Sequence, residues 1–132
     1  MASMVLPRVQ AMVLCDGVEE SEYEAAVYDL TGVRTVIESP FPAVVSQLCV
    51  FAQMSGHQGE SYCHIEIEHI DANEVIFATV PQPISFETPT AAVAVVFPLA
   101  NCVFPVPGLY YVQVYNEAKM IGERPLLLRN ED

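Results

Sequence analysis

Tyr62-Cys63-His64-Ile65-Glu66-Ile67-Glu68-His69-Ile70 is the stretch on which the fold turns. Its residues alternate at period two: Cys63, Ile65 and Ile67 fall on one face, and His64, Glu66 and Glu68 on the other. That is the pattern of a strand with one side in a core and the other in water. Ser55-Gly56 and Gly59 supply a turn before it, and Asp71-Ala72-Asn73 a tight turn after it.

The same punctuation runs through the whole chain, which holds ten Pro and six Gly. Upstream, Val9–Cys15 reads as a strand closed by Asp16-Gly17. Ala25–Leu30 and Val33–Glu38 follow, with Thr31-Gly32 as the turn between them, and Pro40-Phe41-Pro42 ends that unit. Val44–Met54 is apolar on both faces, as a strand covered by two layers is. Downstream, Val75–Val80 is a strand, and Pro81, Pro83 and Pro89 mark a loop. Thr90–Pro98 is apolar throughout. Leu109–Tyr115 alternates with Tyr110, Val112 and Val114 inward. Asn116 to Ala118 make a hairpin turn into a partner strand that begins at Lys119–Ile121, and Pro125–Leu128 ends the pairing. Strands at this spacing predict an all-β, single-domain antiparallel β-sandwich over residues 1–132, with about seven to nine strands. One segment reads two ways. In Glu19–Leu30, Ser21 and Glu24 have capping-box spacing and Tyr23, Ala26, Val27 and Leu30 would share a helical face, while the same residues also suit a strand.

Composition bounds the function. Apolar residues are 52% of the 132 and charged residues 17%, the reverse of a disordered chain. No uninterrupted apolar run approaches the ~20 residues of a membrane-spanning helix. Five basic against 17 acidic residues give a net charge of −12, which repels phosphate backbones and excludes nucleic acid as a partner. The start, Met1-Ala2-Ser3-Met4-Val5-Leu6-Pro7-Arg8, lacks the basic-then-apolar order of a secretory signal, so the expected location is cytoplasmic. Cys15, Cys49, Cys63 and Cys102 show no C-x-x-C spacing. Each sits in an apolar segment, where a reduced thiol behaves as a small hydrophobe. Two disulfides, in any of three connectivities, are the alternative.

Several stretches carry a resemblance. They are Val13-Leu14-Cys15-Asp16, Leu30-Thr31-Gly32-Val33 with Pro40-Phe41-Pro42, the Gly56–Glu60 turn, Val103-Phe104-Pro105-Val106-Pro107-Gly108-Leu109-Tyr110, and Ile121-Gly122-Glu123-Arg124-Pro125-Leu126. Together, from about Val9 to Leu128, they resemble a family of small bacterial proteins grouped only as a domain of unknown function. The resemblance implies a compact β-sandwich and no reaction. The acidic Glu19–Glu24 departs from the mixed-charge turn the family implies there. Independently, Gly108 two residues before an inward Tyr110 is similar to the tyrosine corner of immunoglobulin-like sandwiches. With no Trp, and Val112 rather than Cys two residues after Tyr110, the likeness to that fold is one of architecture.

His64, Glu66 and Glu68, at i, i+2 and i+4, are the sharpest chemical constellation, since His and carboxylates are divalent-metal ligands. His57 would complete such a set. His69 should point the other way, and a plain solvated face explains the trio equally. Cys63 and His64 are adjacent, so on a strand they face apart and cannot pair as nucleophile and base. There is no G-x-S-x-G elbow and no Gly-rich phosphate loop, so no enzyme is expected. The acidic clusters Asp16–Glu24 and Asn130-Glu131-Asp132 lack EF-hand spacing. Lys119, Arg124 and Arg129 gather in the last 14 residues, a patch of opposite sign to the body.

Thr90–Phe97 would aggregate as a bare edge, so it is expected to be a central strand or to be covered by another subunit. Outward Tyr111 and Tyr115 suit an interface. The expectation is a non-enzymatic binding or assembly module acting through protein–protein contacts, homo-oligomeric or accessory to another protein, without cofactor. Its alternative is a metal- or small-ligand-binding sandwich using His64, Glu66 and Glu68; carbohydrate binding is weakened by the lack of Trp. Native mass spectrometry without chelator separates the first two. An assembly gives a multiple of 14.5 kDa without adduct; the alternative gives a monomer with a stoichiometric metal or small-molecule adduct.

Overall fold

The computed structural model describes residues 5–131, so Met1 to Met4 and Asp132 of the C-terminal acidic cluster lie outside it. Within those residues the chain forms β1 (Arg8–Glu20), β2 (Tyr28–Val33), β3 (Val36–Glu38), β4 (Ala43–Ser55), β5 (Gly59–His69), β6 (Glu74–Ala78), β7 (Gln82–Phe86), β8 (Val93–Phe104), β9 (Gly108–Asn116) and β10 (Lys119–Arg129). A four-stranded sheet runs β2-β1-β4-β8. A six-stranded sheet runs β3-β10-β9-β5-β6, with β7 also pairing β5. β6 and β7 lie end to end along one side of β5, against Glu66–His69 and Gly59–Cys63 respectively. Every pair is antiparallel except β3 with β10, which is parallel.

The two sheets face each other across one apolar core. Met12 and Leu14 of β1, Leu48, Val50, Ala52 and Met54 of β4, and Phe97 and Leu99 of β8 meet Ile65 and Ile67 of β5, Val112 and Val114 of β9, and Leu126 and Leu128 of β10. Each such side chain contributes about 1.5–3 kcal/mol by leaving water. On β4 the inward parity changes between Val45 and Leu48, and on β8 between Leu99 and Cys102. The two changes are opposite one another in the ladder, and Asn101 takes a φ of 55° there. Both strands therefore keep apolar side chains in the core along their full length.

The tyrosine corner is present. Tyr110 is fully buried, and its hydroxyl donates to the Val106 carbonyl at 2.6 Å. Its ring lies edge-on to Phe104 and stacked on His69, with centroids 5.0 and 4.6 Å away. Gly108 makes this approach possible: its φ is +145°, and a Cβ there would sit 3.0 Å from His69 Nε2.

Local expectations are revised in five places. The strand count is ten rather than seven to nine. Asp16-Gly17 does not end β1, and Thr31-Gly32 is not a turn, because Gly17 pairs with Thr31 inside the β1–β2 ladder. Gly32 instead makes room across the strands: its φ is +65°, and a Cβ would lie 2.7 Å from Asp16 Cγ. The segment that read as helix or strand is a hairpin loop over residues 21–27. Ser21 Oγ accepts the Tyr23 and Glu24 amides at 3.1 and 3.3 Å, a helix-cap arrangement with no helix after it.

The proline-marked loop contains β7, where Pro83 pairs with Tyr62. Beyond that strand there is nothing for a Pro83 amide to bond to in the sheet, which is why Pro is tolerated. Finally, β8 is an edge strand of its sheet rather than a central one. Pro98 and the left-handed Asn101 interrupt it, devices that blunt edge pairing. The strand runs on through Pro98 to Phe104, beyond the apolar stretch Thr90–Pro98.

Gly32→Ala should cost about 1–3 kcal/mol, from a strained φ and displacement of Asp16. Tyr110→Phe should cost about 1 kcal/mol, the net worth of one hydrogen bond. Urea midpoints at unchanged slope measure both; a midpoint equal to wild type for Gly32→Ala would contradict the close approach.

Candidate functional site

β5 and β9 pair in a register that sets His64 opposite Tyr115, Glu66 opposite Gln113 and Glu68 opposite Tyr111. Cross-strand partners share a face. The two residue sets that sequence reading kept apart, a candidate metal trio and candidate interface tyrosines, thus form one surface on the outside of the six-stranded sheet. The inward neighbours Cys63, Ile65, Ile67, Val112 and Val114 are fully buried, which holds the outward set in place from below.

The face is internally organised. The His64 ring stacks on Tyr115, with centroids 5.2 Å apart and planes 15° from parallel. His64 Nε2 lies 2.8 Å from Glu66 Oε2; a carboxylate only accepts, so the ring donates through Nε2. Gln113, 6% exposed, donates from its amide to Glu68 Oε1 at 3.2 Å and to Glu123 Oε1 of β10 at 3.4 Å. One neutral side chain thereby holds two carboxylates on either side of it. Burial, and then Glu66, Glu68 and Glu123 in turn, raise the Tyr115 phenol above its ordinary range. Among the ion pairs of the described residues, those of Arg34 with Asp16 and Arg129 with Glu38 lie elsewhere and that of His64 engages Glu66, so Glu68 and Glu123 take part in none of them.

His64 and Glu66 come together, while Glu68 turns to Gln113. Among the described residues, no group of three or more His, Cys, Asp or Glu side chains is placed to hold a metal ion. His57 is tied to the Val5 carbonyl at 2.8 Å and lies edge-on to Phe86. His69 points inward, as its parity requires, and its buried Nε2 has no hydrogen-bond partner. Tyr111 and Tyr115 are outward and half-buried. Gln113 and Glu123 were missed as members of the face. The outward position of Gln113 follows from the alternation between Tyr111 and Tyr115. Its bridge to β10 depends on register, which no local pattern carries.

Elsewhere a groove of about 490 Å³ lies beside the Asp16–Arg34 ion pair, between Glu38 and Gln47. A cleft of about 260 Å³ is lined by Met12, Leu14, Val33 and Pro125 with Arg124 at its rim. Arg124 there donates from Nε to the Met12 carbonyl at 3.1 Å, which ties β10 to β1.

The Tyr115 signal, taken as wild type minus Tyr115→Phe in a phenolate absorbance titration, should ionise at higher pH than free tyrosine. Glu66→Gln with Glu68→Gln should lower that pH, by less than the full shift, since burial is the larger cause. An unchanged titration would detach these carboxylates from Tyr115.

A family model described as a family of unknown function, DUF6941, matches residues 10–129, which coincides with the stretch over which the sequence resemblance was drawn. Among solved structures the chain is similar to an immunoglobulin-like protein from Pseudomonas aeruginosa, at 14% identity and a TM-score of 0.47, over 97% of this chain and 100% of that one. No curated protein matches it. The chain belongs to the DUF6941 family of unknown function.

Proposed function

We propose that this protein is a non-enzymatic binding module whose working surface is the outer face of β5, β9 and β10, and that its partner is a protein presenting Lys or Arg side chains. One observation carries the reading: Glu66, Glu68 and Glu123 are held around Gln113, between the aromatic areas of Tyr111 and Tyr115, and neither Glu68 nor Glu123 takes part in an ion pair among the described residues. Tyrosine gives large contact area at low entropic cost, and a fixed carboxylate array gives orientation and fast encounter. The side chains are already hydrogen-bonded to one another before binding, which limits the ordering free energy lost on contact.

A second copy of the chain is the other candidate partner, and two features disfavour it. A two-fold contact on this face would set Glu66, Glu68 and Glu123 against their own copies. Edge pairing through β8 meets Pro98 and Asn101. Of the C-terminal basic residues, Arg129 is paired with Glu38, and Arg124 donates to the Met12 and Glu123 carbonyls, which leaves Lys119 to supply a heterologous self-contact.

The test is an NMR titration with a defined basic peptide, such as a Lys/Leu-alternating decapeptide, at two salt concentrations. Shifts should concentrate on β5 and β9, weaken with salt, and fall at least about tenfold in affinity in the Glu66→Gln/Glu68→Gln/Glu123→Gln variant, the size expected for loss of charge complementarity. Tyr111→Ser with Tyr115→Ser should weaken binding without changing its salt slope. Shifts spread evenly over all acidic surface would overturn the reading, as would an oligomer dissociated by the two Tyr substitutions, which would make the partner a second copy.

A further inference from the structure

The four thiols are not equivalent. Cys63 and Cys102 belong to the core between the sheets. Cys15 and Cys49 do not: they are direct partners in the β1–β4 ladder, and both point to the outer side of the four-stranded sheet. Partners in an antiparallel ladder have Cα atoms about 4.5–5.5 Å apart, inside the range that a disulfide spans. The sulfurs are interleaved with each other's strands. Cys15 Sγ donates to the Cys49 carbonyl at 3.8 Å, and Cys49 Sγ donates to the Asp16 carbonyl at 3.7 Å. Cys15 is completely buried, whereas Cys49 is 6% exposed, so Cys49 is the less buried residue of the pair.

We propose that Cys15 and Cys49 form a paired oxidation site, converted by hydrogen peroxide into a disulfide that staples β1 to β4. Cys49, the less buried of the two, reacts first. Its thiolate attacks one peroxide oxygen, the O–O bond breaks, and the departing hydroxide takes up a proton to become water, leaving Cys49 as a sulfenic acid. Cys15 then attacks the Cys49 sulfur. The S–O bond breaks, and hydroxide leaves with the Cys15 proton as a second water. Two thiols and one peroxide give one disulfide and two waters; the sulfurs lose two electrons and the peroxide oxygens gain them. Burial and the adjacent Cys49 push the Cys15 thiol up, which suits it to the resolving role rather than the first attack. In the core, burial pushes Cys102 up to about 11 and raises Cys63 as well, so neither competes. The site lies on the opposite sheet from the acidic face and does not depend on it.

The folded protein is treated with hydrogen peroxide, then denatured and alkylated with N-ethylmaleimide. Two adducts rather than four are expected by intact mass. Cleavage after glutamate without reduction should yield residues 1–19 joined to residues 39–60, each of which holds one of the two cysteines. Reduction should restore four adducts. The oxidised protein should melt about 5–15 °C higher than the reduced one, from closure of a loop between positions 34 apart. Cys15→Ser should stop at a Cys49 sulfenic acid that a dimedone probe captures, and Cys63→Ser should still form the bridge. Four adducts after oxidation of wild type would overturn the proposal. So would a bridge that includes Cys63 or Cys102, or sulfinic acid at Cys49 in place of the bridge.

Discussion

The pairing of β5 with β9 is the constraint on which the rest depends. Ile65 and Ile67 face Val112 and Val114 across the ladder beneath the sheet, and the same register sets His64, Glu66 and Glu68 against Tyr115, Gln113 and Tyr111 above it. A slip of β5 by one residue would send two glutamates and a histidine into the core and Cys63, Ile65 and Ile67 into water. The apolar burial below therefore fixes the acidic and aromatic surface above. β5 has β9 on one side and β6 and β7 on the other, so its backbone is paired on both sides.

The two sheets treat their outer faces differently. The six-stranded sheet shows water a polar, hydrogen-bonded array. The four-stranded sheet carries apolar residues on both sides at its centre: on β4, Leu48, Val50 and Ala52 face the core, while Cys49 and Phe51 are buried on the outside. Tyr28 of β2 covers Phe51, with ring centroids 5.5 Å apart. Asp16, Arg34 and Gln47 close the neighbouring surface, with Gln47 donating to the Asp16 carbonyl at 2.8 Å. Cys15 is fully buried on this same outer side. This small outer cluster explains why a strand that reads as buried by two layers lies in a sheet with a second sheet on one side only.

The corner at Tyr110 links chain geometry to the same surface. Its hydroxyl fixes the turn that delivers β9, and its ring supports His69 at the far end of β5. Gly108 permits the close approach, and the buried His69 Nε2 remains without a hydrogen-bond partner as the cost of that packing.

Much of the fold was legible because β-structure with one wet face writes a period of two into the sequence. β5, β9 and the two-sided β4 were read in nearly their observed places, and the tyrosine corner was read from a glycine and an inward tyrosine. The misreadings share one cause. Gly17, Gly32, Pro83 and Pro98 are breakers in isolation, and each is accommodated by a cross-strand neighbour or an edge position that local sequence does not encode. For the site, the sequence by itself determined which residues point outward: His64, Glu66, Glu68, Tyr111 and Tyr115. Only the tertiary structure decided that they share one surface, that Gln113 ties Glu68 to Glu123, and that Cys15 lies against Cys49. Alternation is a property of one strand, whereas register is set between strands by the core they bury together.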